Sequence, residues 1–140
     1  MYCYQCEQKA KDVACTVKGV CGKDEETAMM QDILIHATKG VSNYAHRARK
    51  LGAKDKGVDA FILNSLFTTV TNVNFDSEKI KSLIKHAGDV KDRAKKMYED
   101  ACAKKGKTPE KLGAPADWQA PKNDAELEAQ GRDAAIPQRF

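Results

Sequence analysis

Four of the chain's five cysteines fall in its first twenty-one residues, at Cys3, Cys6, Cys15 and Cys21. The stretch reads MYCYQCEQKAKDVACTVKGVC, a C-x2-C-x8-C-x5-C spacing. A chain of 140 residues buries a core without disulfides, so thiols crowded into one short segment point to metal binding. Four thiolates can serve a single centre. A structural zinc most often uses two C-x2-C knuckles, and only the first pair here has that spacing. An iron–sulfur cube takes its ligands at four iron corners and tolerates uneven gaps, so the pattern favours iron–sulfur over zinc. Lys9, Lys11, Lys18 and Lys23 lie in or beside the segment, where they either offset the negative charge of a cluster or simply face solvent. Gly19 and Gly22 flank Cys21 and let backbone N–H groups approach sulfur closely. A third reading takes Cys3 and Cys6 as a redox C-x-x-C pair, but no βαβ pattern surrounds them.

The remaining reactive side chains are dispersed. Cys102 sits beside the apolar face of a helix and reads as a small core hydrophobe. His36, His46 and His86 share no ligand spacing, and none is assigned a catalytic role. No phosphate loop, nucleotide fingerprint or nucleophile–base pair is present.

The elements that must position the cysteines are helical. Residues 1–23 show neither a 3.6 nor a 2.0 period and read as loop and turn with at most one short helical turn. A first helix opens at Asp24, a good N-cap followed by Glu25 and Glu26. Its stripe runs Met30, Ile33, Leu34, Ala37, Val41, Tyr44, Ala45, Ala48 and Leu51, and Gly52 stops it. A second helix spans about Val58 to Val73, with Val58, Phe61, Ile62, Leu66, Thr69, Val70 and Val73 facing inward. A third begins after Asp76, with Phe75 placed to staple onto Ile80. Its stripe of Ile80, Leu83, Ile84, Ala87, Val90, Ala94, Met97 and Ala101 runs to about Lys105, before Gly106. Then GKTPEKLGAPADWQAPKN, with three of the four prolines, reads as a long surface loop carrying Trp118 as an anchor. Asn123 and Glu126 offer a capping box for a short helix over Asp124 to Gln130. The expected fold is all-α: a cysteine loop (1–23), an antiparallel three-helix bundle (24–106), and a loop with one short helix (107–140) that begins a truncated continuation.

Composition narrows the function further. A net charge of +4 with both signs mixed gives no Lys/Arg block, so nucleic acid is not an expected partner. No run of eighteen apolar residues crosses a membrane, and no secretory signal opens the chain. A reducing compartment is therefore expected.

CYQCEQKAK, CTVKGVCGK, the helix DEETAMMQDILIHATKGVSNYAHRARKLG and the segment LFTTVTNVNFD together resemble the N-terminal region of the hybrid-cluster proteins. This is the prismane family, also called hydroxylamine reductases, and the resemblance covers roughly the first hundred residues. The cysteine spacing is similar to that of members with an N-terminal 4Fe–4S cluster rather than a 2Fe–2S one. The resemblance implies that Cys3, Cys6, Cys15 and Cys21 ligate one 4Fe–4S cluster. It implies a cytoplasmic oxidoreductase of anaerobic or facultative microbes that reduces hydroxylamine to ammonia and water and is linked to nitric oxide reduction. In the family the reaction occurs at a second, iron–sulfur–oxygen hybrid cluster, which the N-terminal cluster feeds with electrons. The ligands of that hybrid cluster lie beyond this region, so it is not expected in this chain. The chain alone is expected to be inactive, with its partners being a redox protein or the missing C-terminal domains. Two rival readings stay open: a free-standing small iron–sulfur carrier, and a helical interaction module clipped by zinc.

Overall fold

The computed structural model describes residues 1–70 and 75–134 of the chain. Among the described residues, four α-helices follow the cysteine loop: α1 (Glu25–Lys50), α2 (Lys56–Val70), α3 (Ser77–Lys104) and α4 (Asp124–Ala134). They are the helices expected from the sequence, in an all-helical arrangement with α1 packed chiefly along α3.

Local chemistry sets most of the helix ends. Asp24 accepts a hydrogen bond from the Thr27 N–H at 2.8 Å and starts α1. Asp76 does the same for the Lys79 N–H at 3.1 Å and starts α3. Gly52 and Gly106 stop those helices with φ of +90° and +62°, a backbone state open to glycine. The start of α2 comes earlier than the apolar pattern suggested. Asp55 accepts from the N–H groups of Gly57 and Val58 and from Arg93 of α3, and so fixes both a helix end and an interhelical contact. Burial alone would raise the Asp55 carboxyl, but these donors outweigh it and hold the group below its usual range.

The core joins the expected stripes of α1 and α3. Met30, Leu34, Ala37, Val41 and Ala48 meet Ile80, Ile84, Ala87 and Ala94, all essentially without solvent contact. Leu51, Leu83 and Met97 are half-buried at its margin. Cys102 is buried in the same core, as its position on the apolar face implied.

Two expectations need correction. On α2 the inward residues are Val58, Phe61, Ser65 and Thr69, with Ile62 half-buried, while Leu66 is 43% exposed. The helix carries apolar residues on more than one face, so hydrophobicity misplaced the stripe by one position; spacing from Val58 and Phe61 leads to Ser65. Val73 lies outside the described residues. The second correction concerns residues 107–123. Their first half is exposed, but the second half is packed between α1 and α3. A Cβ on Gly40 would stand 2.5 Å from the Pro115 carbonyl oxygen, and one on Gly88 would stand 2.7 Å from the Ala120 Cβ. Ala116 is buried, and the buried Lys91 ammonium of α3 donates to the Trp118 carbonyl. Burial lowers the Lys91 pKa from its ordinary value. Trp118 is half-buried against the core, and its indole N–H donates to Gln130 of α4 at 2.9 Å. Asn123 caps α4 through the Glu126 N–H at 2.9 Å, while the Glu126 carboxylate accepts from Lys122 rather than from Asn123. The helix continues one turn beyond Gln130.

Candidate metal centre

The cysteine loop folds on itself before α1. Cys3 and Cys15 pair as an antiparallel bridge, exchanging backbone hydrogen bonds of 3.0 and 2.8 Å. A single 3-10 turn, Ala10–Asp12, reverses the chain between them. The pairing places Cys15 in a buried position and Cys3 in a half-buried one. Cys6 lies on the outward limb and is half-buried, and Cys21 is exposed.

Cys21 belongs to a tight closing turn. The Gly19 N–H donates to the Lys23 carbonyl at 2.8 Å, and the Gly22 N–H donates to the Gly19 carbonyl at 2.8 Å. Gly22 has φ of +90°. A Cβ on Gly19 would lie 3.1 Å from the Cys21 sulfur and 3.0 Å from the Lys23 Cβ. The glycine therefore leaves the space into which that sulfur folds back.

Of the four lysines near the loop, the structure selects one. Lys11 and Lys18 are exposed and Lys9 is half-buried, whereas Lys23 is only 1% exposed. Its ammonium donates to Gln31 Oε1 at 2.6 Å, to Gln5 Oε1 at 3.0 Å and to Cys3 Sγ at 3.7 Å. The Phe75 ring centre lies 5.9 Å from the same nitrogen, and Phe75 is 39% exposed. Gln31 and Gln5 were not singled out in the sequence. The available signal was Gln31 itself, a polar residue one turn before Leu34 on the buried face of α1.

None of the five cysteines is held in a disulfide. Among the described residues, no group of three or more His, Cys, Asp or Glu side chains is arranged to hold a single metal ion. The donor chemistry nevertheless fits an iron–sulfur cluster. Four thiols come from one loop, two are held by backbone pairing, and a buried cation touches one of their sulfurs. His36 is half-buried on α1, and burial lowers its pKa; His46 and His86 are exposed. His86 packs edge-on against Phe61, with ring centres 5.6 Å apart.

The prismane/CO dehydrogenase family model matches residues 1–138. The chain is 47% identical over 140 residues to a hydroxylamine reductase of Rhodospirillum rubrum, covering 100% of this chain and 26% of that protein. It is 46% identical over 140 residues to a hydroxylamine reductase of Acidithiobacillus ferrooxidans, covering 97% of this chain and 25% of the relative. A hydroxylamine reductase of Halothermothrix orenii is 41% identical over 139 residues, with 97% and 25% covered. The chain belongs to the prismane/CO dehydrogenase family. It spans about a quarter of the length of these relatives, which are named as oxidoreductases acting on hydroxylamine. Membership points to iron–sulfur chemistry in general. No helix among the described residues is long and apolar enough to cross a membrane.

Proposed function

We propose that this chain is the N-terminal electron-relay region of a hydroxylamine reductase-like oxidoreductase, holding one 4Fe–4S cluster on Cys3, Cys6, Cys15 and Cys21. The observation that carries the reading is the set of four cysteines, none in a disulfide, on one folded loop in a chain of this family. A cluster bound there supplies one-electron storage and transfer. The protein's own residues do the positioning. Cys3 and Cys15 are set by their backbone pairing, Cys21 by the turn over Gly19 and Gly22, and the loop is tied to α1 by Lys23–Gln31 and by the Met1 amino group on Glu25.

The complete enzyme would carry out NH2OH + 2 e⁻ + 2 H⁺ → NH3 + H2O, with nitric oxide as a second substrate. We place that step at a hybrid cluster in the polypeptide beyond this region, so the chain alone is inactive. We also place the protein in a reducing cytoplasm, which is consistent with five cysteines that form no disulfide. The remaining three quarters of the enzyme is the proposed occupant of two exposed apolar surfaces. One surrounds the loop at Val13, Val17 and Val20. The other is a groove of about 510 Å³ between α1 and α2, where Ile62, Leu63 and Leu66 face Ala45.

Iron, sulfide and zinc contents with a visible spectrum, on protein purified without oxygen, test the reading. Near four irons and four sulfides per chain, with a brown band that bleaches on reduction, is the expected result. One zinc and no colour would replace the relay with a structural clip.

A further inference from the structure

A buried ammonium needs compensation. Removing a cation from water costs several kcal/mol unless an anion or a full set of hydrogen bonds compensates. Three carboxylates follow Lys23 directly in sequence, yet each is engaged elsewhere. Asp24 caps α1, Glu25 binds the Met1 amino group, and Glu26 pairs with Lys81 at 2.8 Å. Among the described residues Lys23 has no carboxylate partner. Its acceptors are two neutral amide oxygens and one sulfur. The amides orient the ammonium without neutralising it. Of the three acceptors, Cys3 alone can carry a negative charge. Lys91, the other buried lysine, meets a backbone carbonyl and touches no sulfur, so burial of a lysine in this fold does not by itself require a thiol.

We propose that Lys23 is the charge partner of the cluster at its Cys3 corner; this rests on the cluster reading above. The ammonium stays on Cys3 Sγ in both redox states and favours the state with one more electron. It thereby raises the reduction potential and slows the loss of iron from that corner. The step is the addition of one electron from a chemical reductant to the bound cluster, with no bond made or broken. Lys9, Lys11 and Lys18 contribute little by comparison, because solvent and salt screen exposed charges.

The test uses the chain reconstituted without oxygen, with the variants Lys23→Met, Lys23→Arg and Gln31→Leu. Lys23→Met keeps the length of the side chain and removes its charge. It is expected to keep the wild-type helix content, to move the midpoint potential to more negative values, and to release iron to a chelator about tenfold faster. Lys23→Arg restores the charge and returns the potential toward wild type. Gln31→Leu removes the tether to α1 but keeps the ammonium, so its potential stays near wild type. Should Lys23→Met fail to load, loading of Lys23→Arg and Gln31→Leu with near-wild-type potentials supports the proposal. A loaded Lys23→Met protein with wild-type potential and iron release overturns it. So does a Gln31→Leu protein that reproduces the Lys23→Met potential, because Lys23 would then be only a tether. A wild-type chain that takes up no iron and sulfide overturns the relay reading itself, a result distinct from both.

Discussion

The cysteine loop and the helices behind it meet at Lys23, and they are held in different ways. In the bundle, Leu34, Val41, Ile80, Ile84 and Ala94 lose essentially all solvent contact and pack against one another. Each such side chain contributes roughly 1.5–3 kcal/mol by burial, and Ala less. In the loop only Ala14 and Cys15 are buried apolar residues, while Val17 is 89% exposed. Its order rests on the Cys3–Cys15 pairing, the Gly19–Lys23 turn and the Lys23 and Met1 tethers. If the proposed cluster binds there, a region with so little apolar burial should gain stability from it, whereas the bundle should stand without it.

The sharpest way to break this contrast is to remove one thiol. Cys21→Ser should abolish or severely reduce cluster assembly and leave far-UV circular dichroism unchanged. Full iron and sulfide in that variant would remove Cys21 from the ligand set; lost helix content would mean that loop and bundle are one cooperative unit. Next in size is a cut on the other side. Ile84→Ala should cost about 2–5 kcal/mol in denaturant unfolding. Because the bundle supports the loop, it should also weaken cluster retention.

A smaller effect is expected where the second half of the 107–123 segment, a strap over the helices, crosses α1 at Gly40. Gly40→Ala places a methyl group against the Pro115 carbonyl, which also accepts the Trp118 N–H at 3.2 Å. Overpacking of this kind costs about 1–3 kcal/mol, against a helix-propensity gain of about 1 kcal/mol. Trp118 fluorescence should shift to the red as the strap lifts, with α1 and α3 still paired. The smallest change is at the junction. Asp24→Ala should cost about 1 kcal/mol. The Thr27 N–H, bonded to the Asp24 carboxylate, holds it below the usual value of 3.8. A depressed folded-state pKa stabilises above the unfolded value and loses that effect as pH falls through the folded one. The difference between wild type and Asp24→Ala should therefore be full near neutrality and shrink below about pH 4. A pH-independent difference would show that the Asp24 cap stabilises α1 through something other than its charge.

Much of the helical part was legible because its signals are local. The 3.6-residue stripes of α1 and α3, the caps at Asp24 and Asp76 and the stops at Gly52 and Gly106 each lie within one or two turns of what they control. The cysteine spacing was equally plain as a candidate site, since residue type and crowding alone suggest thiolate chemistry. Tertiary structure decided what depends on distant partners. It left Leu66 at the surface and took Ser65 inside, because α2 meets α1 and α3 with a face that hydrophobicity alone did not identify. It laid the segment around Pro115 and Ala120 against Gly40 and Gly88, contacts that span some thirty to seventy-five residues of sequence. It also chose Lys23 from four similar lysines, by bringing Gln5, Gln31 and Cys3 to one ammonium. Helix formation is governed by near neighbours, so sequence determined it; burial is set by whatever the fold brings alongside, and only the packed chain determines that.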